Sequence, residues 1–238
     1  MPMAYYMASI GLFGMLGLPM MWQRSQDEQK AIPLVIYGAS GAVGSAAVQF
    51  AVNANFHPLI CVAGSGAYAI QPLLDSSKGD VVLDYREGAE KLVENMKTAL
   101  GEHELHYAFD CVSEHGSSAN ICKVLQRGGH ISLVLPSGVK DVPPGFDVNT
   151  TMAGNLWTGF KNKGDTHGAM GLAGGTEFGY CYSRLFGHWF GEGKLRVHSP
   201  EVVEGGLLGV EKALKNLREG KNHGVKYVVR VRDTPGLE

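Results

Sequence analysis

The sequence predicts an α/β protein built around a doubly wound parallel sheet. Apolar strand-like runs alternate with helical stretches as far as Leu135, the pattern of repeated β-α-β units. The runs are continuously apolar rather than alternating, as expected of strands that are covered on both faces. A glycine-rich turn at residues 38–44 joins the first strand to the helix that follows it. Together these observations favour a Rossmann-like fold.

Strands and helices can be placed from these runs. The strand candidates are residues 34–37, 59–63, 81–83, 107–112 and 130–135. The helix candidates between them are residues 42–55, 67–77, 89–100 and 117–126. Beyond Leu135 the composition shifts to Gly, Pro, Asn and Thr, and the apolar patch 152–157 is a candidate sixth strand.

The C-terminal third adds further elements. Residues 178–192 read as an amphipathic helix, and its aromatics Tyr180, Tyr182 and Trp189, with Arg184 and His188, fit a core stripe better than a substrate contact. The stretch 164–175 is interpreted as a surface loop rather than a cover for a ligand. Residues 207–218 form a second amphipathic helix, and residues 227–231 form a closing strand.

The first 22 residues carry no charged side chain. Gly11, Gly14, Gly17 and Pro19 interrupt this apolar run, and no basic residue precedes it. A buried linking helix and turn over residues 1–30 is therefore expected, rather than a membrane span or a signal peptide. The dinucleotide-binding domain would follow at residues 31–195, and residues 196–238 would form a C-terminal helix and strand.

Composition restricts the classes of partner and metal. The chain has 238 residues, is 45% hydrophobic and carries a formal net charge of −2 without a basic block, so nucleic acid is not expected as a partner. The four cysteines form neither a CxxC pair nor a cluster with zinc-site spacing. We therefore expect structural thiols, no metal, and a reducing, cytoplasmic location.

The glycine-rich turn admits more than one chemistry. Ala39 to Gly44 matches A-x-G-x-x-G, a relaxed form of the dinucleotide fingerprint, placed after a strand and at the start of a helix. In that interpretation Gly41 lets the backbone approach a pyrophosphate, and Gly44 lets the helix pack against the sheet. A phosphate-binding P-loop is excluded, because no Lys-Ser/Thr pair follows the glycines.

Two other interpretations of the turn stay open. Residues 38–42, Gly-Ala-Ser-Gly-Ala, nearly match the G-x-S-x-G nucleophile elbow of α/β-hydrolases, with Ser40 in the nucleophile position. The chain has no HGGG-type oxyanion segment to accompany it. The glycines could also form a tight turn and nothing more.

The second strand predicts which nicotinamide cofactor would bind. An Asp or Glu at its end accepts a hydrogen bond from the ribose 2′-hydroxyl of NAD(H) and repels a 2′-phosphate. Here the strand runs into Val62-Ala63-Gly64-Ser65-Gly66, which contains no acid, so NADP(H) is favoured. Ser65 and Tyr85 are candidates to hydrogen-bond the 2′-phosphate, with Arg86 as a nearby charge. Tyr85 and Arg86 could equally form a solvated strand end.

Five blocks of the sequence together resemble a known superfamily. These are IYGASGAVGSAAVQFA, SKGDVVLDYREG, YAFDCVSEHGSS, GGHISLVLP and VVEGGLLGVEKALKNLREGKNHGVKYVVRV. Their order and content resemble the medium-chain dehydrogenase/reductase superfamily, in its zinc-free quinone/enoyl reductase branch, which includes the fungal trans-acting enoyl reductases. Short-chain dehydrogenases are a poorer match, because Tyr-x-x-x-Lys occurs nowhere in the chain.

The resemblance implies NADPH-dependent hydride transfer to an activated C=C or a quinone, a small-molecule substrate. By this resemblance the pyrophosphate would lie over Ser40, Gly41, Ala42 and Val43, and the 2′-phosphate near Ser65 and Tyr85. Val112, after the fourth strand, would lie beside the adenosine. Leu135, after the fifth, would lie beside the nicotinamide. The resemblance gives no catalytic residue, and it implies a possible homodimer formed through the edge of the sheet.

Two departures from the family pattern affect this expectation. Many NADPH-using relatives carry Lys or Arg near the position of Ser65. Family members also begin with a GroES-like substrate domain, whereas this chain begins about where that domain ends. Residues 196–238 resemble elements that pack on that domain, as parts of a truncated catalytic domain. A catalytically incomplete NADP(H)-binding module is therefore the alternative function.

Overall fold

The computed structural model describes residues 2–20, 22–23, 30–154, 156 and 175–237. Its centre is a parallel six-stranded sheet with strand order β3-β2-β1-β4-β5-β6. The strands are β1 Leu34–Tyr37, β2 Leu59–Ala63, β3 Val81–Asp84, β4 Tyr107–Asp110, β5 His130–Leu133 and β6 Asp147–Thr150. This order confirms the Rossmann-like doubly wound fold, in which the connections reverse direction between β1 and β4.

Helices cover the sheet on both faces. They are α1 Pro2–Ser9, α2 Ala42–Asn53, α3 Ala89–Leu100, α4 Ser117–Cys122 and α5 Gly175–Gly191, whereas a further helix, α6 Val210–Arg218, belongs to the C-terminal part. Leu34 and Ile36 of β1 face a core shared with α2, α5 and the N-terminal segment. Val35 and Tyr37 face a second core shared with α3 and α4. Both faces of β1 are thus buried, which explains its continuous apolar sequence.

The N-terminal segment is a buried helix, as predicted. After α1 the chain forms a π-helical stretch, Ile10–Met15, in which every residue is buried. Gly11 lies against Phe109, and an added Cβ there would be 2.5 Å from the ring. Phe13 stacks on Tyr182 with ring centroids 5.8 Å apart. Among the helices described, none is long and apolar enough to cross a membrane.

Residues 67–77 do not form the predicted helix. The chain instead makes three short 3-10 turns, Ala67–Ala69, Gln71–Leu73 and Ser76–Lys78. Pro72 has no N–H group to donate to a helix, and the Asp75 side chain accepts a hydrogen bond from the Ser77 N–H. These local features favour turns over a continuous helix.

The sixth strand lies at Asp147–Thr150 rather than in the apolar patch 152–157, where the prediction was wrong. Residues 155 and 157 of that patch lie outside the described residues. The apolar-run pattern did not predict β6, because some of the buried groups of this strand are polar. Asn149 donates to the Met15 carbonyl, and the neighbouring Thr151 hydroxyl bonds to Ser132 at 2.7 Å. Several other ends differ by a few residues, since β4, β5 and α4 stop at Asp110, Leu133 and Cys122.

The C-terminal part forms a small separate sheet. β7 Pro200–Val202 pairs in parallel with β8 Lys226–Val228, so the predicted closing strand has a partner. Between them, a 3-10 turn, Gly206–Gly209, leads into α6. The predicted loop 164–175 lies outside the described residues except for Gly175, where α5 begins.

Candidate functional site

The glycine turn after β1 is closely packed. Gly38 has a φ of +74°, which L-residues with a side chain rarely adopt, and a Cβ on Gly38 would lie 2.6 Å from Val112 Cγ2. A Cβ on Gly44 would lie 2.2 Å from the Gly38 carbonyl oxygen. This is the helix-to-strand packing that the sequence predicted for Gly44, whereas its place in a cofactor site stays a prediction.

The N-terminus of α2 is open toward solvent. Gly41 occupies the N-cap position, no side chain caps the helix, and its first turn contains no acidic residue. The first N–H groups of a helix have no partner within the helix, and they form the positive end of its dipole. The turn therefore offers a binding place for an anion at Gly41, Ala42 and Val43.

A cleft of about 580 Å³ opens beside this helix end. One wall comes from the turns after the first three strands, at residues 40–42, 64–66 and 85–86. The opposite wall comes from the C-terminal part, at residues 222–227, with Gly220, Leu217 and His198. The structure thus brings Ser40, Gly41, Ala42, Ser65 and Tyr85 together at one cleft, and their role in cofactor binding stays a prediction.

Four predicted site residues lie outside the lining of this cleft. Gly44 is buried behind the turn, and Val43 is partly buried in the first turn of α2. Val112 packs on Gly38 at the end of β4. Leu135 is 40% exposed just beyond the end of β5.

At the far end of the cleft, Tyr85 covers the backbone of the second strand's turn. A Cβ on Gly64 would lie 2.8 Å from Tyr85 Cε1, so a larger residue there would displace the Tyr85 ring. Arg86 lines the cleft, but its Nη2 pairs with Asp84 Oδ2 at 2.6 Å. Hydrogen bonds from the Arg86 side chain and backbone hold the pKa of Asp84 below its usual value. The charge of Arg86 is therefore already matched by a carboxylate.

The C-terminal wall was not foreseen from the sequence. His223 Nδ1 shares a 2.6 Å hydrogen bond with Ser65 Oγ, and the Tyr68 hydroxyl donates to the His223 carbonyl at 2.6 Å. Lys226 also lines the cleft. The one available signal was the polar run at residues 221–226, with a glycine in it, between a helix and a strand. Nothing in that run shows that it lies against the end of β2.

His198 forms a second serine–histidine pair at the cleft. Its Nδ1 lies 3.1 Å from Ser45 Oγ, and both side chains are buried. Burial, and then the charge of Lys226, lowers the pKa of His198 from its ordinary 6.5. Within the described part of the chain, histidines pair with Ser45 and Ser65 but none hydrogen-bonds Ser40. Among the residues that the structure describes, the hydrolase interpretation therefore has no histidine placed as a general base at Ser40.

Asp110 organises the ends of β4 and β5. Its carboxylate is fully buried and accepts hydrogen bonds from the Val112 and Ser113 N–H groups and from two serine hydroxyls, those of Ser117 and Ser118. The Val134 N–H in turn donates to Ser113 Oγ at 3.0 Å. The edge of the sheet beneath Val112 and Leu135 is thus held in a fixed shape.

The aromatic residues of α5 lie away from the cleft. Tyr182 is fully buried and stacks on Phe178 with centroids 4.3 Å apart, and Trp189 is also buried. The predicted core role is confirmed for these two. Tyr180 is 64% exposed, with Arg184 over its ring.

No cysteine is among the described residues that line the cleft. The four cysteines are free, and burial raises the pKa of the Cys61 thiol. In the residues that the structure describes, no three His, Cys, Asp or Glu side chains gather as a metal site.

Comparison with known proteins finds relatives similar in sequence. No protein-family model matches the chain. The chain is 40% identical over 210 residues to the trans-enoyl reductase fsr4 of Gibberella fujikuroi, an alignment covering 87% of this chain and 57% of that protein. This similarity confirms the predicted resemblance to the medium-chain dehydrogenase/reductase superfamily and its fungal trans-enoyl reductases.

Solved structures show the same fold. CurK enoyl reductase superposes with a TM-score of 0.64 at 14% identity, over 97% of this chain and 61% of that one. CurA from Vibrio vulnificus, solved in complex with NADPH, superposes with a TM-score of 0.60 at 20% identity, over 94% of this chain and 61% of that one. The chain thus spans rather more than half the length of the relatives that it matches.

Proposed function

We propose that this protein is an NADPH-dependent oxidoreductase that reduces an activated C=C bond of a small enoyl substrate. The observation that carries the proposal is the open N-terminus of α2 beside a cleft at the carboxyl ends of the parallel strands, where doubly wound folds bind their ligands. The similarity to proteins named trans-enoyl reductases gives the reaction class. A quinone is the other acceptor class that a hydride donor of this kind serves.

The residues present fit NADP(H). The backbone at Ser40, Gly41, Ala42 and Val43 would receive the pyrophosphate, since no side chain and no acid blocks the helix end. Gly44 would contribute by letting α2 lie close to the turn.

The two ends of the cofactor would follow the order of the strands. Ser65 and Tyr85, near the ends of β2 and β3, would lie at the 2′-phosphate. Val112, beyond the end of β4, would lie beside the adenosine, and Leu135, beyond the end of β5, would lie beside the nicotinamide. The cleft lining contains no Asp or Glu among the residues described, which supports NADP(H) over NAD(H).

The chemistry divides between cofactor and protein. Bound NADPH would supply a hydride to the β-carbon of the enoyl group, a proton from solvent or a protein group would go to the α-carbon, and NADP⁺ would be released. The protein would hold the two reactants in register and exclude water from them. We assign no catalytic residue.

A further domain is proposed to complete the site. The described structure leaves an apolar face on α6 and its preceding turn, in which Leu207, Val210, Leu214 and Leu217 are 39–61% exposed. Leu217 also lines the cleft, so whatever covers this face would close the cleft as well. A GroES-like domain, as the family resemblance implies, fits that place. In this division residues 1–30 form the linking helix and turn that leads into the dinucleotide-binding domain, residues 31–195 form that domain, and residues 196–238 contact the further domain.

The alternative is an NADP(H)-binding module without turnover of its own. This alternative rests on the same exposed face of α6. If nothing covers that face, the cleft stays open, and an open cleft orients a substrate poorly. Binding and turnover therefore need separate measurements.

A homodimer would be formed through β6, the edge strand of the sheet. The Asp147 and Thr151 N–H groups donate to β5, at Gly129 and Leu133. Because alternate residues of a strand point their N–H groups to opposite sides, those of Val148 and Thr150 point away from β5. A second copy could pair with this edge.

The test uses NADPH deuterated at the transferred position of nicotinamide C4, with crotonyl-pantetheine and a quinone as acceptors. Deuterium at the β-carbon of saturated butyryl-pantetheine, detected by mass spectrometry, would support enoyl reduction. Reduction of the quinone alone would move the proposal to the other acceptor class. NADPH binding without transfer to either would favour the binding module, and absence of NADPH binding would overturn both functions.

A further inference from the structure

The C-terminal turn at residues 222–226 contributes His223 and Lys226 to the lining of the cleft, and His223 hydrogen-bonds Ser65. We propose that His223, assisted by Lys226, recognises the 2′-phosphate of NADP(H) and takes the place of the basic residue that Ser65 does not supply. The proposal rests on the proposed function only in requiring that NADP(H) binds in this cleft. It concerns residues for which sequence analysis gave no role in cofactor binding.

The position of His223 is fixed by contacts on both sides. Its Nδ1 bonds to Ser65 Oγ at 2.6 Å, and its carbonyl accepts from the Tyr68 hydroxyl at 2.6 Å. A Cβ on Gly66 would lie 2.8 Å from the Gly224 nitrogen, so the two backbone segments touch. The imidazole is therefore held at the end of β2, although it belongs to the C-terminal turn.

The Ser65–His223 pair always keeps a donor for an anion. If the serine hydroxyl donates to Nδ1, then Nε2 carries a proton and can donate. If Nδ1–H donates to the serine oxygen, the serine hydroxyl is free to donate instead. In the protonated imidazole both groups are available. Each state thus offers at least one hydrogen bond to a phosphate oxygen, and one state adds a positive charge.

Two other basic side chains near this turn are already paired with carboxylates. Arg86 is paired with Asp84, and Lys221 Nζ is paired with Glu219 at 2.6 Å. Lys226 makes no ion pair with any residue in the described ranges; it lines the same cleft, where its charge acts on His198. The 2′-phosphate is a dianion over much of the neutral pH range, so a hydrogen-bond donor of the Ser65–His223 pair, with the Lys226 ammonium group in the same cleft, would favour it over a 2′-hydroxyl.

A purely structural role for His223 makes a different prediction. If the Ser65 and Tyr68 bonds only hold the C-terminal turn in place, loosening the turn would weaken NADPH and NADH equally, because both share the adenosine and pyrophosphate. Recognition of the phosphate would weaken NADPH and leave NADH nearly unchanged. The two roles therefore differ in the ratio of the two dissociation constants.

The experiment measures binding by calorimetry for four ligands: NADPH, NADH, adenosine 2′,5′-bisphosphate and 5′-AMP. His223→Asn keeps a polar atom near the Nδ1 position for Ser65 but removes Nε2, whereas His223→Gln keeps a donor near Nε2. Tyr68→Phe removes the other tether of the turn and leaves both imidazole nitrogens in place. Thermal unfolding of each variant confirms that it is folded.

For His223→Asn we expect binding of NADPH and of the bisphosphate to weaken at least about tenfold, and binding of NADH and 5′-AMP to change less than about twofold. His223→Gln should lose less affinity for NADPH than His223→Asn does. Tyr68→Phe should not change the ratio of the NADPH and NADH dissociation constants. An unchanged ratio in a folded His223→Asn protein would overturn this proposal and leave the proposed function standing. A wild-type protein that binds none of the four ligands would overturn both.

Discussion

Gly44 lies so close to Gly38 that a Cβ on Gly44 would be 2.2 Å from the Gly38 carbonyl oxygen and 2.7 Å from the α-carbon of Ala39. The two residues are six positions apart and belong to the turn and the helix that follows β1. Their contact sets the distance between the N-terminus of α2 and the end of the strand. The shape of the anion-binding turn thus depends on a glycine at this position.

Replacing Gly44 with alanine should destabilise the fold. The added methyl group has no space, so the helix must move, and overpacking of this kind costs about 3 kcal/mol. Gly187 is the matched control, because it lies within α5 and a Cβ there meets nothing within 4 Å. Gly187→Ala should stabilise the protein by about 0.5–1 kcal/mol. Urea unfolding measures both, and a Gly44→Ala protein as stable as the wild type would contradict the close packing.

Removing the Asp110 carboxylate should also be costly. Asp110→Ala leaves two backbone N–H groups and two serine hydroxyls without their acceptor, which we expect to cost about 3 kcal/mol. Asp110→Asn keeps one oxygen for the N–H groups, and the serine hydroxyls can rotate to accept from its amide. We expect that variant to lose about 1 kcal/mol of the free energy of unfolding. Equal free energies of unfolding for the two variants would show that the hydrogen bonds do not determine the stability of this turn.

His198 should make the stability depend on pH. Because burial lowers its pKa below the ordinary 6.5, the unfolded chain binds a proton at His198 before the folded protein does. This histidine therefore contributes stability above about pH 6.5 that is lost as the pH falls through the lower pKa of the folded state. The contributions of the other histidines to the pH dependence cancel when the free energy of unfolding of the wild type is compared with that of His198→Gln.

The quantity to measure is the difference in unfolding free energy between the wild type and His198→Gln. It should fall when the pH is lowered from about 7.5 to about 5.5. A difference that stays constant or grows over that range would mean that His198 is not held neutral by burial.

The free edge of β6 offers a test of the proposed dimer. Thr150→Pro removes an N–H group that points away from β5, so the ladder within one subunit is kept. If copies pair through this edge, sedimentation should show the wild type and Thr150→Ala as dimers and Thr150→Pro as a monomer. A wild-type monomer, or a dimer that survives Thr150→Pro, would rule out this edge as the interface.

Much of the sheet could be predicted because its strands are buried on both faces. β1, β2 and α3 begin and end at the predicted residues, since continuous apolar runs and a helical period leave little choice. β6 was missed for the opposite reason. Its polar side chains are satisfied by distant partners such as Met15 and, through Thr151, Ser132, which no local pattern reveals.

The candidate site was predicted on one wall only. Its glycine turn is a local motif, and the residues after β2 and β3 follow from strand order. The opposite wall depends on the contact between Ser65 and His223, which are 158 residues apart. A contact at that separation depends on how the C-terminal part packs on the sheet. The spacing of residues along the sequence does not predict this packing.

The most direct test of the cofactor site uses Gly41. Its backbone is extended, with φ −73° and ψ 169°, and it occupies the N-cap of α2, where Asp is a favourable residue. Gly41→Asp should therefore remain folded, with a stability within about 1 kcal/mol of the wild type, while placing a carboxylate where the pyrophosphate would bind. Gly41→Asn is the neutral control of nearly the same size.

The measurement is a calorimetric titration of all three proteins with NADPH, beside their thermal unfolding. We predict that the wild type binds NADPH, that Gly41→Asn binds it more weakly, and that Gly41→Asp binds it at least about 100-fold more weakly without losing stability. A folded Gly41→Asp protein that binds NADPH as tightly as the wild type would contradict the glycine turn as the cofactor site.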